Sequence, residues 1–367
     1  MVMRLIGLMI CRNEEWVIDL SLRAALQWVD HMVVLDHSST DRTPEIIEKI
    51  AGENPGRVSL FRETATVWDE MIHRHRTLDE GRKLGGTHFA IIDADEVLTG
   101  NLVFSVREWI EKLEPAQLLE VPLIPCWRSL AKYRNDKSVW SRSSLTLAVR
   151  DAPEIGWKPW GDGYQHHNRA PYGTRWTVLN PFEDKKAGGV MHLQFANWRR
   201  LRAKHYWYRM METIRWPGRK TPQELNKAYN EALDESEIFL SNCPTEWWDF
   251  YAELPKLVQL DGPAWYEGEI KALWDEHGPE VFHGLELPND ILGIAPPPPP
   301  DAAISRLWFC EDCGVIAVAV APRRNARAVT KILSTQHKAV SPRCPGEHIR
   351  LVSPENISQE QILGRLK

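Results

Sequence analysis

The stretch His88-Phe89-Ala90-Ile91-Ile92-Asp93-Ala94-Asp95-Glu96 is an apolar run of strand length that stops in three carboxylates. Such a terminus is costly to bury unless a cation sits beside it. Two carboxylates one residue apart are hard oxygen ligands, suited to Mg²⁺ or Mn²⁺ shared with substrate phosphates. The alternative is a solvated turn, because Asp is common in turns. Upstream, Leu5-Ile6-Gly7-Leu8-Met9-Ile10 reads as a strand that enters Cys11-Arg12-Asn13-Glu14-Glu15 and then an amphipathic helix. Met32-Val33-Val34-Leu35 is a second strand, entering Asp36-His37-Ser38-Ser39-Thr40-Asp41. Thr43 is the expected N-cap of the next helix, Pro44 its first residue, and Ile46, Ile47 and Ile50 its apolar face. Repeated strand-then-helix units predict a parallel sheet whose ligands gather beyond the carboxyl ends of the strands. The clusters at Asn13, Asp36 and Asp93 all fall at such ends.

The order Asn-Glu (Asn13-Glu14), Asp-x-Ser-Ser-Thr-Asp (Asp36 to Asp41) and Asp-x-Asp (Asp93-Ala94-Asp95) resembles the nucleotide-sugar half of family 2 glycosyltransferases with the GT-A fold. The likeness covers about the first hundred residues. One departure stands out: His37 and Ser38 occupy places where many relatives carry a second Asp and a Gly. The resemblance implies an α/β fold with a mostly parallel sheet flanked by helices. It also implies a nucleotide-sugar donor, a UDP-sugar first, and a Mn²⁺ or Mg²⁺ cofactor. Asp95 is then a direct metal ligand, and Asp93 touches ribose or metal-bound water. Asp36 would bond the nucleobase or ribose, Asn13 and Glu14 would form the turn under the nucleotide, and Cys11 would line the base. For Cys11 the competing reading is a buried thiol.

A chain of 367 residues is long enough for one large and one small domain. Its net charge of −5 offers no bulk attraction to nucleic acid or anionic membrane. No apolar run reaches the length of a membrane span. Six scattered cysteines do not form a secreted disulfide framework, so a reducing cytoplasm is the expected location. Further strands are predicted at Val58–Phe61, Leu118–Ile124, Ser144–Val149 and 188–195, and helices over Trp68–Leu84 and Val103–Leu113. The helix at 68–84 should bury Met71, Ile72, His75 and Leu78. Residues 1–295 are expected to form the transferase domain, with a nucleotide-sugar half (1–100), an acceptor side (101–195) and a helical extension (196–295) that Asn197 can cap. Pro296 to Pro300 form a stiff polyproline spacer of about 15 Å. Residues 301–367 follow as a small C-terminal domain.

Two carboxylates underfill a divalent ion; the resemblance implies a later His near the diphosphate, and His192, after Val190-Met191, is placed as such a ligand would be. A core histidine is the other reading, and His166-His167 is a rival pair. Asp162, between Gly161 and Gly163, is the candidate base that takes the acceptor proton; Glu154, Glu183 and Asp184 compete with it. Arg74 and Arg76 could reach the diphosphate. Arg199, Arg200, Arg202, Lys204, Arg209 and Arg215 form either a phosphate-binding run or a solvated face. Of 17 tryptophans, Trp127, Trp140, Trp157 and Trp160 are candidates to stack on sugars, while Trp198, Trp207 and Trp216 are expected in the core. In the tail, Cys310, Cys313, Cys344 and His348 offer four N/S ligands for a structural Zn²⁺, reduced thiols being the alternative.

These readings converge on a metal-dependent, inverting glycosyltransferase. A nucleotidyltransferase would want a glycine-rich phosphate loop after the first strand, and Cys11 to Glu15 contains no glycine. A non-catalytic carbohydrate-binding or adaptor protein is the third reading, set against the intact Asp93 and Asp95. The acceptor, whether glycan, lipid, protein or nucleobase, is not legible.

Overall fold

The structure is a computed structural model that describes residues 2–64, 68–158, 169–175, 178–179, 185–293, 304–310, 316–321, 344 and 349–352. The chain divides into two compact units, Met1–Leu292 and Gly293–Lys367.

The first unit begins with β1 (Leu5–Cys11), α1 (Ile18–Ala25), β2 (His31–His37), α2 (Thr43–Glu53), β3 (Val58–Glu63), α3 (Glu70–Lys83) and β4 (His88–Ile91). β1 and β2 are buried at every position, as fully covered parallel strands should be. β1 pairs in parallel with both β2 and β4, and β2 with β3. Four strand ends, including Cys11, Asp36 and the Asp93 turn, therefore lie along one edge of the sheet. α2 starts at Thr43, not after it. The cap position falls on Arg42, which makes no side-chain capping bond, and Asp41 before it accepts from the Thr43 amide (2.9 Å) and hydroxyl (2.6 Å).

After the turn come β5 (Glu96–Leu98), α4 (Val106–Glu111), β6 (Leu118–Pro125), β7 (Lys132–Arg134), α5 (Val139–Arg142), β8 (Ser144–Arg150), β9 (Val178–Leu179) and β10 (Val190–His192). The sheet order is β3-β2-β1-β4-β8-β6-β10-β5, with β9 beside β6. β8, expected as a short strand among acceptor-side loops, instead runs antiparallel between β4 and β6 at the middle of the sheet. β10 is shorter than the strand predicted there. Gly188 and Gly189 lead into it because a Cβ at Gly188 (φ +115°) would lie 2.5 Å from Thr99 Oγ1, and one at Gly189 2.3 Å from the Pro122 carbonyl.

The helical segment comprises α6 (Trp198–Arg215), α7 (Pro222–Asn230), β11 (Leu240–Asn242), α8 (Glu246–Asp249), α9 (Trp265–Val281, broken at Gly278) and α10 (Asn289–Leu292). Asn197 caps α6 as expected, its Oδ1 accepting from the Arg200 amide at 3.0 Å. Among the described residues no helix is long and apolar enough to cross a membrane.

α3 differs from its predicted face. Met71 and Leu78 are buried, but Ile72 is 48% exposed, and the inner face also carries His73, Arg74 and Thr77. Burial, with the neighbouring His37 ring, pushes His73 down to about 4. Burial, with the Arg150 cation, pushes His88 in β4 down to about 4. Both values lie below the ordinary 6.5, so the stability of the neutral rings is complete above that pH and is lost as pH falls toward 4. Thermal unfolding at a series of pH values is expected to show a loss on the order of 2–3 kcal/mol per ring across this window. Replacing His88 by Gln should flatten the profile; an unchanged slope would show that protonating this ring does not oppose the fold.

In the second unit the described strands are β12 (Ile304–Cys310), β13 (Ile316–Ala321) and β14 (Ile349–Val352), in the antiparallel order β13-β12-β14. Cys310 ends β12 opposite Ile349. Cys313, His348 and the polyproline run lie outside the described residues, and with them the zinc assignment.

Candidate active site

A cavity of about 650 Å³ opens beyond the strand ends, within the usual size of a small-molecule site. Its floor is Ile10, Cys11, Arg12 and Glu14 from the end of β1, with Asp93, Ala94 and Asp95 from the turn after β4. Arg74, Arg169 and His192 stand beside the turn. Lys204, Tyr208 and Glu212 of α6, with Trp207, Trp265 and Tyr266, form the opposite wall. Lys204, Tyr208 and Glu212 recur every fourth residue, so one stripe of α6 faces the cavity over about 12 Å.

The acidic turn is held from below. Glu96 accepts from the Asp93 amide (2.9 Å), and Ser21 Oγ donates to the Ala94 carbonyl (2.5 Å). Arg169 supplies the counter-charge. Its guanidinium donates to both Glu96 oxygens (2.6 and 2.7 Å), to Asp93 (3.2 Å) and to the Ile91 carbonyl. Arg74 binds Asp93 (2.9 Å) and Glu70 (2.9 Å) from the other side. Burial alone would raise the Asp93 carboxyl, but the two guanidiniums outweigh it and hold Asp93 below the usual carboxylate range.

Asp95 has a different partner. β10 pairs antiparallel with β5, which sets His192 opposite Glu96 and brings its Nε2 to 3.5 Å from Asp95 Oδ1. Against burial, His192 holds Asp95 well below the usual range, helped by Lys204 and Arg200. Asp95 likewise outweighs the burial of His192 and raises it.

The expected metal set of Asp93, Asp95 and His192 is therefore divided. Among the described residues no group of three or more His, Cys, Asp or Glu is gathered to hold an ion. Asp93 is committed to two arginines, and Asp95 and His192 stand together. One carboxylate oxygen and one imidazole nitrogen suit a divalent ion that completes its shell with phosphate and water, and do not suit an all-protein cage.

Other expected residues are placed as follows. Cys11 lines the cavity, with its Sγ 3.7 Å from the Leu35 carbonyl, and burial pushes its thiol up. Glu14 lines it too. Its carboxylate accepts from Arg200 (2.5 Å) and Trp16 Nε1 (2.7 Å), and burial, against the pull of Arg200, raises it to about 7. Asp36 lies behind the lining residues, accepting from the hydroxyl and amide of Ser39. Asn13 (φ +55°) ties the first two loops together. Its amide donates to Ser39 Oγ (2.8 Å), and its Oδ1 accepts from the Thr40 amide (2.7 Å). Arg76 pairs with Glu63 away from the cavity. Asp162, His166 and His167 lie outside the described residues.

The tryptophans are placed differently in part, with Trp198 and Trp207 packed against core clusters as expected. Trp127 and Trp157, expected to stack on sugars, are buried, with Trp127 Nε1 bonded to Glu235 (2.7 Å). Trp207 also lines the cavity, with Trp265. Trp198 and Trp216 are only half-buried, the Trp140 side chain is not among those described, and Trp160 lies outside the described residues.

Arg169, Trp265 and Tyr266 were not singled out from the sequence. The first loop is closed over by distant residues: Arg200 reaches Glu14, and the Gln259 amide donates to the Trp16 carbonyl at 2.9 Å.

Residues 8–146 match the family described as "Glycosyl transferase family 2". Among curated proteins none matches the chain. The chain is similar over part of its length to S. aureus TarS 1–349 in complex with UDP, at 18% identity and a TM-score of 0.29, covering 33% of this chain and 36% of that one. A second TarS 1–349 structure aligns at 13% identity and a TM-score of 0.38, covering 79% and 82%. A mannosyltransferase from Pyrobaculum calidifontis, in complex with GDP-Man and Mn²⁺, aligns at 21% identity and a TM-score of 0.26, covering 34% and 35%. The chain thus spans about a third of the first and third of these relatives. The strand ends and the acidic turn described above lie within residues 8–146, the part of the chain that is similar to glycosyl transferase family 2.

Proposed function

We propose that the protein transfers a sugar from a nucleotide-diphosphate donor to an acceptor hydroxyl, with a divalent ion and with inversion at the anomeric carbon. The observation that carries this reading is the Asp95–His192 pair at the strand ends, beside an Asp93 already neutralised by Arg74 and Arg169. A divalent ion held by Asp95 and His192 would supply charge to the leaving diphosphate. Arg74 and Arg169 keep Asp93 fixed and ionised, able to accept from hydroxyl groups of the donor. Glu14 and Cys11 shape the floor, while Trp207, Trp265 and Tyr266 offer flat faces to sugar rings.

In the proposed step the acceptor oxygen forms a bond to the anomeric carbon as the bond from that carbon to the diphosphate oxygen breaks. The nucleoside diphosphate leaves with the electron pair. The acceptor proton passes to a carboxylate, for which Asp162 is the proposed group.

Release of UDP, GDP and CMP from a panel of nucleotide sugars tests the reading, with Mn²⁺, with Mg²⁺ and in excess chelator. One donor class is expected to turn over, only with metal. Full turnover in chelator would remove the metal, and no release from any donor would remove the transferase reading.

A further inference from the structure

We propose that Arg12 and Lys204 form a two-cation clamp for the diphosphate of the donor, an inference that rests on the nucleotide-sugar reading above. It starts from a mismatch of charge. Arg74 answers to Glu70 and Asp93, Arg169 to Asp93 and Glu96, Lys220 to Glu212, and His192 to Asp95. Arg12 and Lys204 line the same cavity, and among the described residues no carboxylate lies within ion-pair distance of either.

Lys204 Nζ donates to the neutral amide of Gln194, at 2.9 Å. The Arg12 guanidinium lies over the Trp265 ring, 5.0 Å from its centroid, and its buried Nε has no hydrogen-bond partner among the described residues. Trp265 stacks on Tyr266 at 4.0 Å, and Tyr266 packs at 5.5 Å on Trp207, in the same turn of α6 as Lys204. The two cations thus flank one aromatic wall. Near it, Trp207 Nε1 and Trp265 Nε1 are further buried donors without acceptors among the described residues.

Two cations in a cavity wall with no carboxylate in direct contact attract an oxygen-rich anion. A diphosphate is such an anion. An arginine offers it a planar fork and a lysine a point charge. The negative charge on the diphosphate grows as the sugar leaves, so the clamp would bind the transition state more tightly than the donor. Lys204 lies outside the segment that matches the family, so this cation is contributed by the helical extension.

Calorimetry with UDP and GDP, and with uridine and guanosine, tests the clamp on the wild-type protein and on Arg12→Gln and Lys204→Gln. Chelator is present so that no divalent ion contributes. For the nucleotide that binds, each variant is expected to weaken the diphosphate roughly ten- to a hundredfold. The nucleoside should be unaffected, and Lys204→Arg should recover most of the loss. An unchanged diphosphate affinity would overturn the clamp. So would equal losses for diphosphate and nucleoside, which would mean that the residues only shape the cavity. If neither diphosphate binds the wild-type protein, the nucleotide-sugar reading fails first and the clamp with it.

Discussion

Replacing Asp95 by Asn is expected to lower sugar-transfer turnover by roughly 100- to 1,000-fold, the usual effect of removing a group that stabilises transition-state charge. The amide keeps the shape of the side chain but loses the charge that faces His192 at 3.5 Å. The turn itself should persist, because its supports are Glu96, Ser21 and Arg169 rather than Asp95. Electron paramagnetic resonance of unbound Mn²⁺ gives a readout independent of turnover, and the variant should bind the ion at least tenfold more weakly, about 1.4 kcal/mol. Wild-type turnover and Mn²⁺ affinity in Asp95→Asn would remove this residue from the site.

The second large effect belongs to Arg169. Glu96 is only 3% exposed, and among the described residues Arg169 is its ion-pair partner. Arg169→Met would fill similar space but leave a buried carboxylate without its cation, a loss of about 3–5 kcal/mol. For the unit Met1–Leu292 that corresponds to a drop in Tm of roughly 5–8 °C. Arg169→Lys should recover part of it, since one ammonium replaces the charge but cannot serve both Glu96 oxygens at once. Calorimetric unfolding of both variants decides the matter; a Met variant within 2 °C of the wild type, on the scale just estimated, would show that the acidic turn is held some other way.

What the sequence made legible follows from how far each signal reaches along the chain. β1, β2 and β4 are unbroken apolar runs ending in polar clusters, and their pairing sets Cys11 beside Asp36 as the parallel reading requires. Asp36 was harder to read. A carboxylate at a strand end looks available to a ligand, yet Ser39, three residues on, takes it into a local turn. Arg169 gave no signal, because a single arginine among loop residues has no period, and its partners in the acidic turn and at the end of β4 lie 73 to 78 positions earlier. In α6 the basic residues are nearly consecutive in sequence but diverge around the axis. Arg199 turns outward to Glu267, whereas Arg200 and Lys204, four apart, turn inward. The tryptophans misled for a similar reason: an indole suits a core and a sugar equally well, and the tertiary neighbours decide which it meets.

The closure of the first loop by Arg200 and Gln259 has a consequence for the newborn chain. Cys11 to Trp16 leave the ribosome before the residues that seal them, which follow 186 positions after Glu14 for Arg200, and later still for Gln259. At a synthesis rate of about 5–20 residues per second, Gln259 is added roughly 12–50 s after Glu14. During that interval the sheet can assemble from β1 to β8, while the carboxylate of Glu14 and the ring of Trp16 still face water. The nascent protein would therefore pass through a stage that has its strands but not the complete cavity, whose wall forms only when α6 and the start of α9 dock.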